Sequence, residues 1–288
     1  MENSINSLSN VSGTMLITLY ARAKETLSAD PIIKDDKAVE IIEVFKKEIG
    51  DSKNQIHQRI LHDRYNPKLS VTMALRSRRF DRYTQDFLTR HSNGTVINFG
   101  CGLDTRFDRI DNGKVRWFDI DFAAVIALRR RFMQENERRK FIAGSILEPN
   151  WTREVKTGGP YLILAEGVFM YLNEPDVKAM FAMIKRELGE VELVCEIYHK
   201  FWADRARSKY MQRKFTRQLG FASDAVPTFG IPDGKYFETW DKDYHFLDEW
   251  TYFDDREKKL GWFNWFAGFD LFRKVQWTVH YRISSANS

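Results

Sequence analysis

Cysteine is nearly absent: the 288 residues contain two, Cys101 and Cys195. Such a pair builds no disulfide framework, and with no C-x-x-C spacing a zinc or dithiol redox site of that kind is excluded. Scarce thiols point to a reducing, cytoplasmic setting as the expectation. Long apolar runs are missing as well, since the longest, such as residues 122–128, reach seven, whereas a bilayer span needs roughly 20. No basic residue precedes the short apolar stretch 15–19, so no signal peptide is expected. Nor does one sign of charge dominate: 45 Lys and Arg against 40 Asp and Glu leave +5, too small a surplus to argue a nucleic-acid surface. Proline and glycine, at 7 and 16, are too few for a low-complexity or collagen-like chain. What remains is globular composition, 43% hydrophobic and 30% charged, in a chain long enough to bury roughly three quarters of its unfolded surface without a disulfide or metal.

The pattern along the chain divides in two. Residues 37–49 place Val39, Ile42, Phe45 and Ile49 at helical spacing, and 67–90 begin with Pro67 and carry Leu69, Met73, Phe80, Tyr83 and Phe87 along one stripe. The first ninety residues therefore read as a helical cap. From Thr95 the pattern changes to short apolar runs: TVINFG, VRWFDID, KFIAGS, YLILAEG and VELVCEIY read as strands. Residues 122–137 and 174–188 read as helices between them, with Asp121 and Asn173 placed as N-caps. Alternating strands and helices predict an α/β fold, a Rossmann-like, doubly wound, mostly parallel sheet. A single domain over 1–288 is expected, with the cap at 1–90, a ligand-binding core at 95–198, a helical, lid-like insertion at 199–243, and C-terminal strands and helix at 244–288.

TVINFG runs directly into CGLDTRF, so Gly100 and Gly102 fall where the first strand turns toward a helix that Asp104 and Thr105 are suited to start. Glycine there lets the backbone approach a ligand closely. Thr105 stands where a dinucleotide fingerprint would have its third glycine, which argues against a pyrophosphate site, and no Lys-Ser or Lys-Thr follows to form an ATP-type phosphate loop. Asp119 and Asp121 lie 19 and 21 residues beyond Gly100, the distance at which a carboxylate ending the second strand accepts ribose hydroxyls. Asp121 is nearer the strand end and is favoured; Asp119 is read as structural.

The runs VINFGCGLDTRFDRI, WFDIDFAAVIALRRRF, KFIAGSILEPNW and LILAEGVFMYL together resemble the leucine carboxyl methyltransferase family of S-adenosylmethionine-dependent enzymes. The G-x-G-L-D-T-R form, the RSRRFDRYTQDFL helix and EGVFMYL are most similar to its branch of tetracenomycin-type polyketide O-methyltransferases. The resemblance, over about residues 20–200, implies a methyltransferase-type sheet, S-adenosylmethionine as cofactor, no metal, and cofactor contacts at Arg76, Gly100, Asp121, Ser145, Ile146 and Glu166. Gly102 joins them through the loop. Arg76 suits the cofactor carboxylate, being a planar, permanently charged fork, and Glu166, costly in its apolar run unless paired, suits the ammonium. Ser145 departs from the family, many members of which have an acidic residue there followed by Leu. Arg22 falls where the family has a further basic residue near the cofactor. The arginines at 129–131 and 138–139 are expected on solvated helix faces.

Methyl transfer needs alignment above all. A carboxylate acceptor is already ionised at pH 7, whereas a phenol of pKa about 10 is roughly 4 kcal/mol short of ionisation and would recruit a base. His199, following a strand end in CEIYHKF, and Tyr198 beside it are the candidate catalytic residues for that case, and Cys101 is read as packing. Residues 199–219 hold seven basic residues against Asp204 alone, with Phe201, Trp202, Met211, Phe215 and Leu219 along an apolar stripe. The expectation is a helix that covers the site and attracts a small anionic acceptor such as a polyketide-like acid. Neither a membrane nor nucleic acid is expected as partner, and a homo-oligomer stays open. The alternatives are a protein C-terminal carboxylate as acceptor, or a non-catalytic S-adenosylmethionine- or RNA-binding protein.

Overall fold

In the computed structural model of the chain, residues 10–50, 52–206, 208 and 227–284 are described. Four helices come first: α1 (Asn10–Thr26), α2 (Asp36–Glu48), α3 (Gln55–Leu61) and α4 (Pro67–Arg90). Side chains that read as turn formers start three of them, since Asp35, Asn54 and Asn66 each accept a hydrogen bond from a first-turn backbone N–H. Among the described residues seven strands then form one sheet: β1 (Thr95–Phe99), β2 (Arg116–Asp121), β3 (Arg139–Ala143), β4 (Tyr161–Ala165), β5 (Val191–Tyr198), β6 (Tyr244–Trp250) and β7 (Gln276–Ile283). Their order is β3-β2-β1-β4-β5-β7-β6. The first five run parallel, and β7 enters antiparallel between β5 and β6.

Strands β1 and β4 are buried on both faces, which is why they read as continuous apolar runs rather than alternating ones. Ile97, Ile163 and Leu193 share a core with Trp151 of α7 (Asn150–Val155) and with Val177, Phe181 and Ile184 of α8 (Glu174–Leu188). On the opposite face Val96, Leu162 and Val194 pack with Phe80 and Phe87 of α4 and with Phe107 of α5 (Arg106–Ile110). The order reverses between β1 and β4, so a crevice opens at the carboxyl ends of the central strands. Among the described residues no helix is long and apolar enough to cross a membrane.

Several details differ from the sequence reading. Helix α6 (Ala123–Arg129) is half the length expected for 122–137, and Phe122 rather than Asp121 precedes it as N-cap. Asn173 does cap α8, accepting from the Asp176 N–H. Asp119, buried completely in β2, is met by two cations: Arg129, the last residue of α6, reaches it at 2.7 Å and Arg139 at 3.3 Å. Those two arginines are therefore buried rather than solvated, and Arg139 belongs to β3. In the expected lid, helix α9 spans Lys200–Ala206, while residues 207 and 209–226, with Arg207, Lys209, Met211, Arg213, Lys214, Phe215, Arg217 and Leu219, lie outside the described residues. Where description resumes, Phe229 and Ile231 are core residues and the Thr228 N–H donates to the Met170 carbonyl. That stretch forms part of the core.

An ion cluster docks α4 against the neighbouring strands β5 and β7. Both oxygens of Glu192 accept from Arg90, at 2.6 and 2.9 Å, and His280 lies 3.0 Å away. Burial pushes the Glu192 carboxyl up, but Arg90 and His280 outweigh it and bring it down to about 2. Because the folded value is depressed below the ordinary 4.5, the stabilisation is complete above about pH 4.5 and is lost as pH falls toward about 2. Glu192→Gln should lower stability at pH 7, with a deficit that shrinks as pH falls below 4.5 and is small by about pH 2. A constant deficit across that range, in urea melts at each pH, would remove titration of Glu192 as the cause.

Candidate active site

A cavity of about 370 Å³ opens at the crevice between β1 and β4. Its floor is the turn after β1. Gly100 and Gly102 adopt φ of +57° and +48°, and a Cβ on Gly100 would sit 2.6 Å from Val168 Cγ2. Both conformation and space thus demand glycine at position 100. The roof is α1, whose Met15, Ile17, Thr18 and Arg22 face the cavity.

Asp121, at the end of β2, holds the turn. Its Oδ2 accepts from the Gly102 N–H and its Oδ1 from the Phe122 N–H, both at 2.8 Å. Burial raises its pKa above the ordinary value, partly offset by those two N–H groups. Each oxygen keeps a lone pair for a ligand hydroxyl. Across the mouth, Ser145 and Ile146 line the wall in the turn after β3, where Ser145 Oγ accepts from the Leu147 N–H and the Ile146 carbonyl accepts from Trp151 Nε1.

The opposite wall is a buried ionic network. Glu166, after β4, accepts from Arg76 Nε at 2.8 Å and from Arg106 Nη2 at 2.5 Å. Burial alone would push the Glu166 carboxyl up, yet the two guanidiniums hold it below its usual range. Arg76 Nη1 also reaches Glu196 Oε2 at 2.9 Å, and Glu196 Oε1 accepts from Tyr252 at 2.6 Å. Arg106 spends its remaining nitrogens on Asp81 and Asp104, at 2.7 and 2.6 Å. Arg22 joins Asp35 at 2.9 Å and donates to the Leu103 carbonyl, while Arg109 bridges Asp35 and Asp81.

Every residue marked from the sequence for cofactor binding, Arg76, Gly100, Gly102, Asp121, Ser145, Ile146 and Glu166, lines this cavity, as do Arg22 and Tyr198. His199 is not brought there: its Nδ1 accepts from the Phe201 N–H at the start of α9, and burial lowers its pKa. Cys101 is buried and burial raises its thiol pKa, in keeping with packing. Asp35, Asp81, Arg106 and Arg109 complete this network, and their roles are not evident from sequence. The available signal was the D-T-R of CGLDTRF, where Asp104 and Arg106 follow the glycines but read as ordinary helix-start residues.

Among the lining residues the charged groups are Asp104, Asp121 and Glu166 against Arg22 and Arg76. The lining therefore carries a surplus of negative charge, which suits a ligand with excess positive charge. The leucine carboxyl methyltransferase family model matches residues 15–185. Tetracenomycin polyketide synthesis O-methyltransferase TcmP of Streptomyces glaucescens is 28% identical over 86% of this chain and 85% of its own length. An S-adenosyl-L-methionine-dependent methyltransferase of Gibberella zeae, dpfgK, is also 28% identical, over 94% of this chain and 91% of that protein. In fold, a Thermobifida fusca protein provisionally named a methyltransferase superposes with a TM-score of 0.54 at 13% identity, covering 85% of this chain and 95% of that one.

Proposed function

The chain belongs to the leucine carboxyl methyltransferase family and is an S-adenosylmethionine-dependent O-methyltransferase, and from that premise we propose that it methylates a carboxylate oxygen of a small, polyketide-like acid. The observation that carries the site assignment is the surplus of carboxylates over arginines around one cavity, because S-adenosylmethionine bears a sulfonium, an ammonium and one carboxylate. Arg76 would take the cofactor carboxylate and Glu166 the ammonium. Asp121 would accept the ribose hydroxyls, and Ser145 with Ile146 would meet the adenine edge. Gly100 and Gly102 allow the close backbone approach.

When bound, the cofactor supplies an electrophilic methyl whose carbon–sulfur bond breaks as the acceptor oxygen forms its new bond, leaving a neutral thioether. The protein's task is alignment in a water-poor cavity, where effective molarity can contribute about 7–11 kcal/mol. Glu166 and Arg76 have little freedom in the ionic network, so they hold one end of the cofactor without reorganising. The placement of His199 outside the cavity favours an acceptor that arrives ionised, which a carboxylic acid does at pH 7 and a phenol does not.

Methyl transfer from labelled cofactor to a panel of carboxylic acids and phenols, followed by mild base, tests the reaction: release of the label is expected, since esters hydrolyse and ethers do not. Asp121→Ala should raise the dissociation constant of S-adenosylhomocysteine about 10- to 100-fold, the range for lost hydrogen bonds to a charged group. Calorimetry giving an unchanged constant would remove Asp121 from the site.

A further inference from the structure

Part of the cavity lining is apolar, supplied by Leu69, Met73, Met170 and Leu172, and is left over once the cofactor contacts proposed above are assigned. A carboxylate entering such a place is costly unless hydrogen-bond donors meet it. Most lining donors are already committed. Arg22 is held by Asp35, and Arg76, gripped by Glu166 and Glu196, is given to the cofactor carboxylate in the function proposed above. Asn98 donates to Asp104 and Asp119, and the Thr18 hydroxyl to the Met15 carbonyl.

Tyr171 and Tyr198 differ. Tyr171 ends the single turn Phe169–Tyr171 after β4, and Tyr198 ends β5, so adjacent strands deliver both to the cavity wall. Among the described residues neither hydroxyl has a hydrogen-bond partner. Tyr198 pairs in register with Gln276 of β7, which also lines the cavity and hydrogen-bonds Glu196. Glu196 in turn grips Arg76, so the wall bearing the tyrosines is tied to the proposed cofactor anchor.

We propose that the Tyr171 and Tyr198 hydroxyls form the subsite that receives the acceptor carboxylate and thereby set a preference for carboxylic acids over phenols. The proposal rests on the function given above and names the residues that select its acceptor. Burial pushes the Tyr171 phenol up to about 12 and the Tyr198 phenol higher still. Both are neutral donors at pH 7, able to hold an anion and unable to act as a base toward a phenol. Neutral donors also leave the carboxylate unpaired with a cation, so its oxygen keeps its nucleophilicity. Apolar side chains around them suit the body of an aromatic or polyketide acid.

The test uses 2-naphthoate and 2-naphthol, matched in shape, titrated calorimetrically into the full chain saturated with S-adenosylhomocysteine at pH 7.5. Naphthoate should bind at least about tenfold more tightly than naphthol. In the Tyr171→Phe, Tyr198→Phe double variant that preference should vanish, with S-adenosylhomocysteine affinity within about twofold of the parent as evidence that the cavity is intact. Equal binding of the two probes to the parent, no binding of naphthoate, or a preference that survives in the double variant overturns the proposal. If the variant loses S-adenosylhomocysteine, each single Phe variant is read in the same way. Failure of the underlying reading shows separately, as base-stable product in the methyl-transfer assay, whereas ester formation with an unmoved naphthoate preference in the variant sinks the tyrosine subsite alone.

Discussion

Glu166→Ala should abolish measurable binding of S-adenosylhomocysteine and lower the stability of the fold by about 3–5 kcal/mol, the usual consequence of removing one partner of a buried ion pair. The size of the effect follows from position. Glu166 lies between two guanidiniums, at 2.8 and 2.5 Å, in a wall where Arg76 and Arg106 are themselves buried. Without it, each arginine keeps other carboxylates, Glu196 for Arg76 and Asp81 with Asp104 for Arg106. The fold should therefore survive with a deficit, while the proposed ammonium site disappears. Glu166→Gln separates the two roles. It preserves volume and one acceptor oxygen, so its stability cost should be the smaller of the two, yet it withdraws the countercharge and should still weaken the ligand by at least about 100-fold. Urea melts beside calorimetry give both numbers. Wild-type affinity in the Gln variant would show that Glu166 serves the protein and not the ligand.

The parallel sheet was legible because buried parallel strands write themselves as apolar runs, and TVINFG, YLILAEG and VELVCEIY each became a strand within two residues of its expected ends. The positive-φ turn was legible too, since glycine at 100 and 102 announces a backbone conformation. The burial of Arg129 and Arg139 was not. A run of arginines reads as solvated unless one knows that Asp119 lies beneath it, and that pairing is made only when α6 and β3 fold back onto β2. Arg106 escaped notice for the same reason: its partners Asp81 and Glu166 are 25 and 60 residues away in sequence. His199 stands apart from the cavity lining for a local reason. A residue following a strand end faces the crevice only if the chain continues past it, whereas here α9 begins at once and turns the imidazole to its own first-turn N–H.

Asp35→Ala should destabilise the protein by about 3–5 kcal/mol although Asp35 lies outside the cavity lining. Its carboxylate is completely buried and accepts from Arg22 at 2.9 Å, Arg109 at 2.8 Å, the Thr105 hydroxyl, and the Ala38 N–H that starts α2. Alanine takes away the carboxylate that Arg22 meets, leaves Arg109 to Asp81, and uncaps a helix, the cap alone being worth about 1 kcal/mol. Against a total of roughly 5–15 kcal/mol for a typical fold, that loss is severe. Burial tends to raise the Asp35 pKa, but Arg22, Arg109 and Thr105 outweigh it and the value falls below the ordinary 3.8. The sign of the pH dependence follows: the stabilisation is complete above about pH 3.8 and fades as acid protonates the folded carboxylate. Asp35→Asn keeps the cap and removes the charge, so its deficit should be large at pH 7 and shrink below pH 3.8. The same residue also governs the ligand at a distance, because Arg22 holds the Leu103 carbonyl of the glycine turn. A freed Arg22 should therefore loosen that turn and weaken S-adenosylhomocysteine several-fold in the Asn variant. Stability and ligand affinity both within error of wild type at pH 7 would show that the helical cap and the glycine turn are held together by something other than Asp35.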